Sequence, residues 1–259
     1  MQAVARAISD ELRAGGSVKD SAFDVLLSDG PRAKSPRFWS SVEVARTAAH
    51  WLDAAGVSRV LDVGAGVGKF CSVASLTLGH RVWGLERRGA LVYEARLLAQ
   101  QLGAEVVMLE GTLASVDPSR FDGFYFFNPF GEYVADDDGR FDDEFPRSVD
   151  GYIDDARTVE RWLRRLPPGA CMVTYNGIGT RIPMSWKVER STQLEGDMLR
   201  LWRKDATEQS SDAWLEVGEE LVAATRLAAL VRKYGEKFQD SPLVARLVEP
   251  DPELTAQGL

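Results

Sequence analysis

Val60-Leu61-Asp62-Val63-Gly64-Ala65-Gly66-Val67-Gly68 is the stretch on which the fold turns. An apolar run carries an acid two places before the first of three alternating glycines, and an apolar helical pattern, Lys69–Leu78, follows at once. Glycine has no Cβ, so the chain can turn tightly from strand to helix here and let a ligand approach the backbone closely. A glycine-rich turn without a ligand is the plain alternative. A dinucleotide-binding turn of the G-x-G-x-x-G kind needs its third glycine at position 69, where this chain has Lys69.

On the C-terminal side, strand and helix patterns alternate. Strands are predicted over Arg59–Val63, Arg81–Leu85, Glu105–Leu109, Gly123–Phe127 and Ala170–Tyr175. Helices are predicted over Lys69–Leu78, Leu91–Leu102 and Val149–Leu166, the first two closed by Gly79 and Gly103 and the last by Pro167-Pro168. Such alternation implies a parallel sheet covered by helices on both faces. The rhythm then breaks into two strands, Trp186–Leu194 and Met198–Arg203, joined by a tight turn at Glu195-Gly196. On the N-terminal side, helices are predicted over 3–14 and 20–28, then a proline-bearing link, Asp29–Pro36, and a helix over Val42–Ala55 capped by Ser41. A long helix is expected over Ser211–Tyr234.

The 259 residues suffice for one large α/β domain with extensions. No apolar run is long enough to span a bilayer. The N-terminus meets Asp10 and Glu11 before any apolar segment, unlike a signal peptide, so a cytoplasmic protein is expected. Cys71 and Cys171 lie in apolar stretches and suit small core residues better than a disulfide. The net charge of −8 is localised: residues 132–155 hold ten acids against two arginines, and the remainder is balanced. A chain without a basic surface is a poor nucleic-acid binder, because phosphate contacts need cations to displace counterions. The acidic segment reads either as a solvated loop or as a collar attracting a cationic substrate; its crowded carboxylates lack the spacing of a metal loop, and no metal is expected.

The strand–glycine–helix stretch resembles motif I of the class I S-adenosylmethionine-dependent methyltransferases, a resemblance that covers about residues 40–204. It implies a Rossmann-like three-layer α/β sandwich: a mostly parallel seven-stranded sheet ending in an antiparallel hairpin, with helical extensions at both ends. The boundaries are then 1–40 for an N-terminal extension or lid, 41–204 for the S-adenosyl-L-methionine-binding domain, and 205–259 for a C-terminal extension. The resemblance puts the cofactor's methionine end against Gly64, Ala65, Gly66 and Gly68, with Asp62 positioning its amino group. Glu86, at the tip of the second strand, would accept the ribose hydroxyls, with Arg87 flanking. After the third strand the family often has Gly-Asp, the acid holding the adenine amine; this chain has Gly111-Thr112.

The fourth strand ends in Asn128-Pro129-Phe130, similar to the Asn-Pro-Pro-(Tyr/Phe) motif of amino-methylating members with one proline missing. A methyl on sulfonium is already activated, so the enzyme mainly aligns a nitrogen lone pair with it and excludes water. Asn128 would accept the amine N–H and Phe130 would cover the substrate; a plain turn after a strand is the alternative. His50 and His80 fall at the wrong ends of their elements for a general base, while Glu132 or Tyr133 could serve an oxygen nucleophile. Phe38 and Trp39 read equally as a lid or as packing. The resulting expectation is N-methylation of a small-molecule or protein substrate, cationic if the collar operates, by a chain for which a homodimer is open. O-methylation and a non-catalytic cofactor-binding scaffold are the competing readings. A nicotinamide dehydrogenase is disfavoured by Lys69 and the terminal hairpin.

Overall fold

The computed structural model describes residues 1–206 apart from 134, 136–139, 146–147 and 181. The helix expected over Ser211–Tyr234 and the extension 205–259 therefore lie almost wholly outside the described residues.

Five parallel strands build the sheet: β1 (Val60–Val63), β2 (Val82–Glu86), β3 (Val106–Glu110), β4 (Gly123–Phe127) and β5 (Cys171–Tyr175). A hairpin of β6 (Trp186–Leu194) and β7 (Asp197–Lys204) completes it, with β7 antiparallel to β5. The order is β3-β2-β1-β4-β5-β7-β6. The chain thus winds outward from β1 in one direction and returns at β4 to wind in the other. The crevice at this reversal, beyond the carboxyl ends of β1 and β4, is where open α/β sheets receive ligands.

The helices are α1 (Gln2–Arg13), α2 (Asp20–Phe23), α3 (Asp29–Phe38), α4 (Val42–Ala54), α5 (Lys69–Leu78), α6 (Gly89–Leu102) and α7 (Val149–Arg165). Ser41 caps α4 by accepting from Val44 N, and Ser148 caps α7 by accepting from Gly151 N. One face of the sheet packs on α4, α5 and α6, with α1 laid against α5 and α6, through a cluster that includes Leu12, Val44, Leu52, Val73, Ala95 and Tyr125. The other packs on α7 through Phe124, Phe126, Val159, Trp162 and Leu163. Trp186 of β6 donates its indole N–H to Leu163 O (3.1 Å), tying the hairpin to the end of α7. Both cysteines are buried and unpaired. No helix among the described residues is long and apolar enough to cross a membrane.

The segment expected as a proline-bearing link is instead α3. Pro31 falls in the first turn, where a backbone N–H has no intrahelical partner to lose, so it does not oppose helix formation there. Pro36 does sit inside the helix. Its neighbour Ser35 is buried and accepts from the Lys69 ammonium (3.1 Å), so tertiary contacts hold a turn that local preference opposes.

Candidate functional site

The turn after β1 is built as its glycines require. Gly64, Gly66 and Gly68 have φ of +79°, +54° and +68°, the left-handed region that side chains disfavour. Gly64 N and Ala65 N both donate to Leu85 O at 2.9 Å, which locks the turn onto the tip of β2. A Cβ at Gly64 would meet Pro129 Cβ at 3.2 Å, so the loops after β1 and β4 touch. A Cβ at Gly66 would lie 2.0 Å from Trp39 Nε1: the indole is seated on this glycine. Trp39 is buried, and Lys69, the first residue of α5, holds the preceding helices through Asp20 (2.5 Å) and Asp24 (2.7 Å). The segment before α4 is thereby fastened over the glycine turn.

Glu86 ends β2 and is buried. Its Oε2 accepts from Gly66 N (3.0 Å) and its Oε1 from Arg88 N (2.9 Å). Each oxygen keeps a second lone pair. Burial pushes this carboxyl above its usual range, while the two backbone N–H groups and the Arg88 guanidinium pull it back. Glu86 lines a cleft of about 90 Å³ at the carboxyl edge of the sheet. That is room for several waters. Val63, Gly64 and Leu85 form one side of the cleft, Gly111, Thr112 and Leu113 another. Pro129, Phe130, Glu132 and Tyr133 close it from the β4 side, Arg87 and Arg88 from β2, and Asp155 from α7.

Arg88, which nothing in the sequence singled out, organises one wall. Its guanidinium is buried and bidentate on Glu132 (2.7 and 3.3 Å), with Nε on Asp142 (3.2 Å) and Nη1 4.0 Å from Glu86. Glu132 also accepts from Phe141 N (3.1 Å), and the Phe141 ring lies 5.7 Å from both Phe38 and Trp39. Part of the acidic segment is thus folded back against the cleft. Glu132 and Asp142 face Arg88, whereas Asp143 is solvent-exposed beside Arg140. Asp136, Asp137 and Asp138 lie outside the described residues.

On the α7 side, Tyr133 donates its hydroxyl to Asp155 Oδ2 (2.8 Å). Arg87 covers the Tyr133 ring (4.7 Å) and the Phe145 ring (4.0 Å). Burial and the Asp155 contact push Tyr133 to about 12. Burial raises Asp155 also, opposed by the Tyr133 hydroxyl and the Arg87 charge. Neither candidate base is therefore disengaged: Glu132 is held by Arg88, and Tyr133 is bonded to Asp155 and hard to ionise.

Asn128 has φ +39°. Its N–H donates to Gly177 O (3.2 Å) and its carbonyl accepts from Gly131 N (3.1 Å), so it forms the corner of a tight turn. Asn tolerates the left-handed region better than most residues, which gives it a backbone reason to be here beside any chemical one. Phe130 is buried, with its ring 6.3 Å from Tyr152.

Of the residues singled out by sequence, Gly64, Glu86, Arg87, Gly111, Thr112, Pro129 and Phe130 line the one cleft. Asp62, Ala65, Gly66, Gly68 and Asn128 do not. Asp62 is buried and accepts from Cys71 Sγ (3.3 Å). Burial, opposed by the Cys71 contact and reinforced by Glu86, pushes its carboxyl up to about 7. Leu113, Arg88 and Asp155 belong to the cleft without having been anticipated. His50 is exposed, and His80 precedes β2 at the opposite sheet edge.

No protein-family model matches the sequence, and no curated protein sequence matches it. Among solved structures, the chain is similar to a Klebsiella pneumoniae protein assigned as an O-methyltransferase: 18% identity over 80% of this chain and 100% of that one, TM-score 0.51. It is also similar to cofactor-bound Rv0187 from MTB, at 18% identity over 73% and 91% of the two chains, TM-score 0.50. An RNA methyltransferase from Salinibacter ruber, in complex with S-adenosyl-L-homocysteine, matches at 22% identity over 66% and 96%, TM-score 0.45. At these identities the likeness is one of fold, the seven-stranded mixed sheet with its terminal hairpin.

Proposed function

We propose that the chain is an S-adenosylmethionine-dependent methyltransferase whose acceptor atom is a nitrogen. The observation that carries this reading is Glu86: a buried carboxylate at the tip of β2, fixed by two backbone N–H groups, with lone pairs left over in the cleft at the sheet's reversal point. The likeness of fold to a protein assigned as an O-methyltransferase, and to a second protein crystallised with a cofactor bound, supports it.

When bound, the cofactor would supply a methyl group already activated on a sulfonium sulfur. Glu86 would accept the two ribose hydroxyls, and the backbone of Gly64 and Gly111 would allow their close approach. Ala65, Gly66 and Gly68 would hold the methionine end once the Trp39 indole had moved off Gly66, and Asp62 would meet its amino group only by exchanging its Cys71 contact for it. Asn128, at the end of β4 beside β1, holds an incoming N–H with its carboxamide oxygen, and Pro129 and Phe130 set the turn that presents it. Alignment and exclusion of water can supply much of the rate when no proton has to be abstracted first. That Glu132 and Tyr133 are both engaged favours nitrogen over an oxygen nucleophile needing a base. The substrate is a small molecule or protein, with a cationic one favoured by the excess of carboxylates around residues 132–155.

The test is transfer of labelled methyl from S-adenosylmethionine to a panel of primary and secondary amines, Lys-rich peptides, phenols and alcohols. Labelled amine is the expected result. Label found only on oxygen overturns the choice of nitrogen. A chain that binds S-adenosylhomocysteine yet labels no acceptor class supports the non-catalytic scaffold instead.

A further inference from the structure

We propose that Asp155, on α7, reads the base of the bound nucleoside by accepting an N–H from its exocyclic amine, which makes it a specificity-determining residue of the cleft. This rests on the cofactor reading above. With the ribose on Glu86, the base must occupy the remainder of the cleft, between Thr112 and Leu113 at the tip of β3 and Tyr133 and Asp155 opposite. The β3 tip brings no carboxylate to the cleft lining: Glu110, which ends the strand, lies outside that lining, and Gly111-Thr112 offers backbone and an exposed hydroxyl.

Three acids line the cleft, Glu86, Glu132 and Asp155. Both oxygens of Glu86 are fixed by backbone N–H groups, and both oxygens of Glu132 by the Arg88 fork. Asp155 is different. Its Oδ2 accepts from the Tyr133 hydroxyl, and its Oδ1 accepts no hydrogen bond among the described residues. The tyrosine fixes the carboxylate plane; burial raises the Asp155 carboxyl, and the Tyr133 hydroxyl and the Arg87 guanidinium, stacked on the Tyr133 ring, oppose that rise. An ionised carboxylate only accepts. A 6-aminopurine offers it an N–H, whereas a 6-oxopurine presents another acceptor and leaves both lone pairs opposed.

The experiment compares calorimetric Kd values for S-adenosylhomocysteine and its 6-oxo analogue, S-inosylhomocysteine, in the whole chain. The wild type is expected to prefer the amino form by about ten- to a hundredfold, the worth of one charge-assisted hydrogen bond. Asp155→Ala should bring the two within about threefold. Asp155→Asn, whose amide can turn an N–H to a 6-oxo group, should do so by tightening the inosyl ligand. Tyr133→Phe, which frees the carboxylate from the hydroxyl that fixes its plane, should narrow the preference, and Asp155→Asn, which keeps the side-chain shape, decides the matter if Asp155→Ala does not fold. An unchanged preference in folded Asp155→Ala or Asp155→Asn overturns the assignment while leaving the cofactor reading intact. A wild type that binds neither thioether overturns both.

Discussion

Replacing Glu86 by Gln separates the acid's part in holding a ligand from its part in holding the fold. An ionised carboxylate has about four acceptor positions, and the structure shows two of them in use, on Gly66 N and Arg88 N. The remaining two suit a vicinal diol. Gln takes the charge from both bonds, and at about 1.5 kcal/mol each the loss reaches at most about 3 kcal/mol, a weakening of S-adenosylhomocysteine binding by roughly ten- to a hundredfold. The fold is weakened as well. The Gln oxygen can serve one of the two N–H groups, but its NH₂ opposes the other, and a buried unsatisfied donor costs about 1–3 kcal/mol. At about 2–4 °C per kcal/mol for a domain of this size, the apo melting temperature should drop by several degrees and remain measurable. Calorimetry on the folded variant gives the first quantity and thermal denaturation the second. A 2′-deoxy analogue supplies the internal control: it should bind the wild type about tenfold less tightly than the parent, and that gap should shrink in Glu86→Gln. A folded Glu86→Gln that binds S-adenosylhomocysteine within about threefold of wild type refutes the reasoning.

Asp62 predicts a pH dependence of stability. Its carboxyl stands at about 7 when folded against an unfolded value near 4, so between these the native state holds a proton that the unfolded chain has lost, and stability falls as pH rises through that window by up to about 1.4 kcal/mol per unit. Asp62→Asn removes this loss, so its stability advantage in urea melts should widen from about pH 5 to 7 and level off above about 8; a constant difference would contradict it. At Asn128, with φ +39°, Ala should cost about 1 kcal/mol of backbone strain and Gly should not. Both remove the carboxamide, so both should slow methyl transfer about a hundredfold with S-adenosylhomocysteine affinity kept, while Asn128→Asp, which keeps an acceptor oxygen, retains part of the rate. Slowing in Ala alone would make the residue a corner of the turn and nothing more.

The alternation was legible because the strands are short apolar runs and because glycines mark the turns where the backbone takes positive φ: Gly64 after β1, Gly68 before α5, and Gly79 and Gly103 at the ends of α5 and α6. The hairpin after β5 showed itself by the absence of a helix between two strand patterns. What failed was local punctuation read without tertiary context. Pro31 and Pro36 suggested a link, but the buried Ser35–Lys69 contact holds that segment helical. Glu86 was legible from its spacing after the glycines. Arg88 was not, since an arginine after a strand tip looks like any surface cation until Glu132 and Asp142 fold back on it. Asp155 was hidden in the same way: within an amphipathic acid-rich helix, only the packing of α7 against the β4 tip reveals that it faces the cleft and its neighbour Asp154 the solvent. Asp62 shows the converse. Its motif was plain, but its side chain is bonded to Cys71 behind the loop.

The central claim, that the crevice at the reversal of the sheet receives S-adenosylmethionine, is tested most directly by calorimetric titration of the whole chain with S-adenosylhomocysteine and, separately, with NAD. Saturable binding of one thioether per chain is predicted, with a melting temperature that rises with its concentration and no heat with NAD. Binding of NAD with no response to S-adenosylhomocysteine or S-adenosylmethionine at millimolar concentration would contradict it.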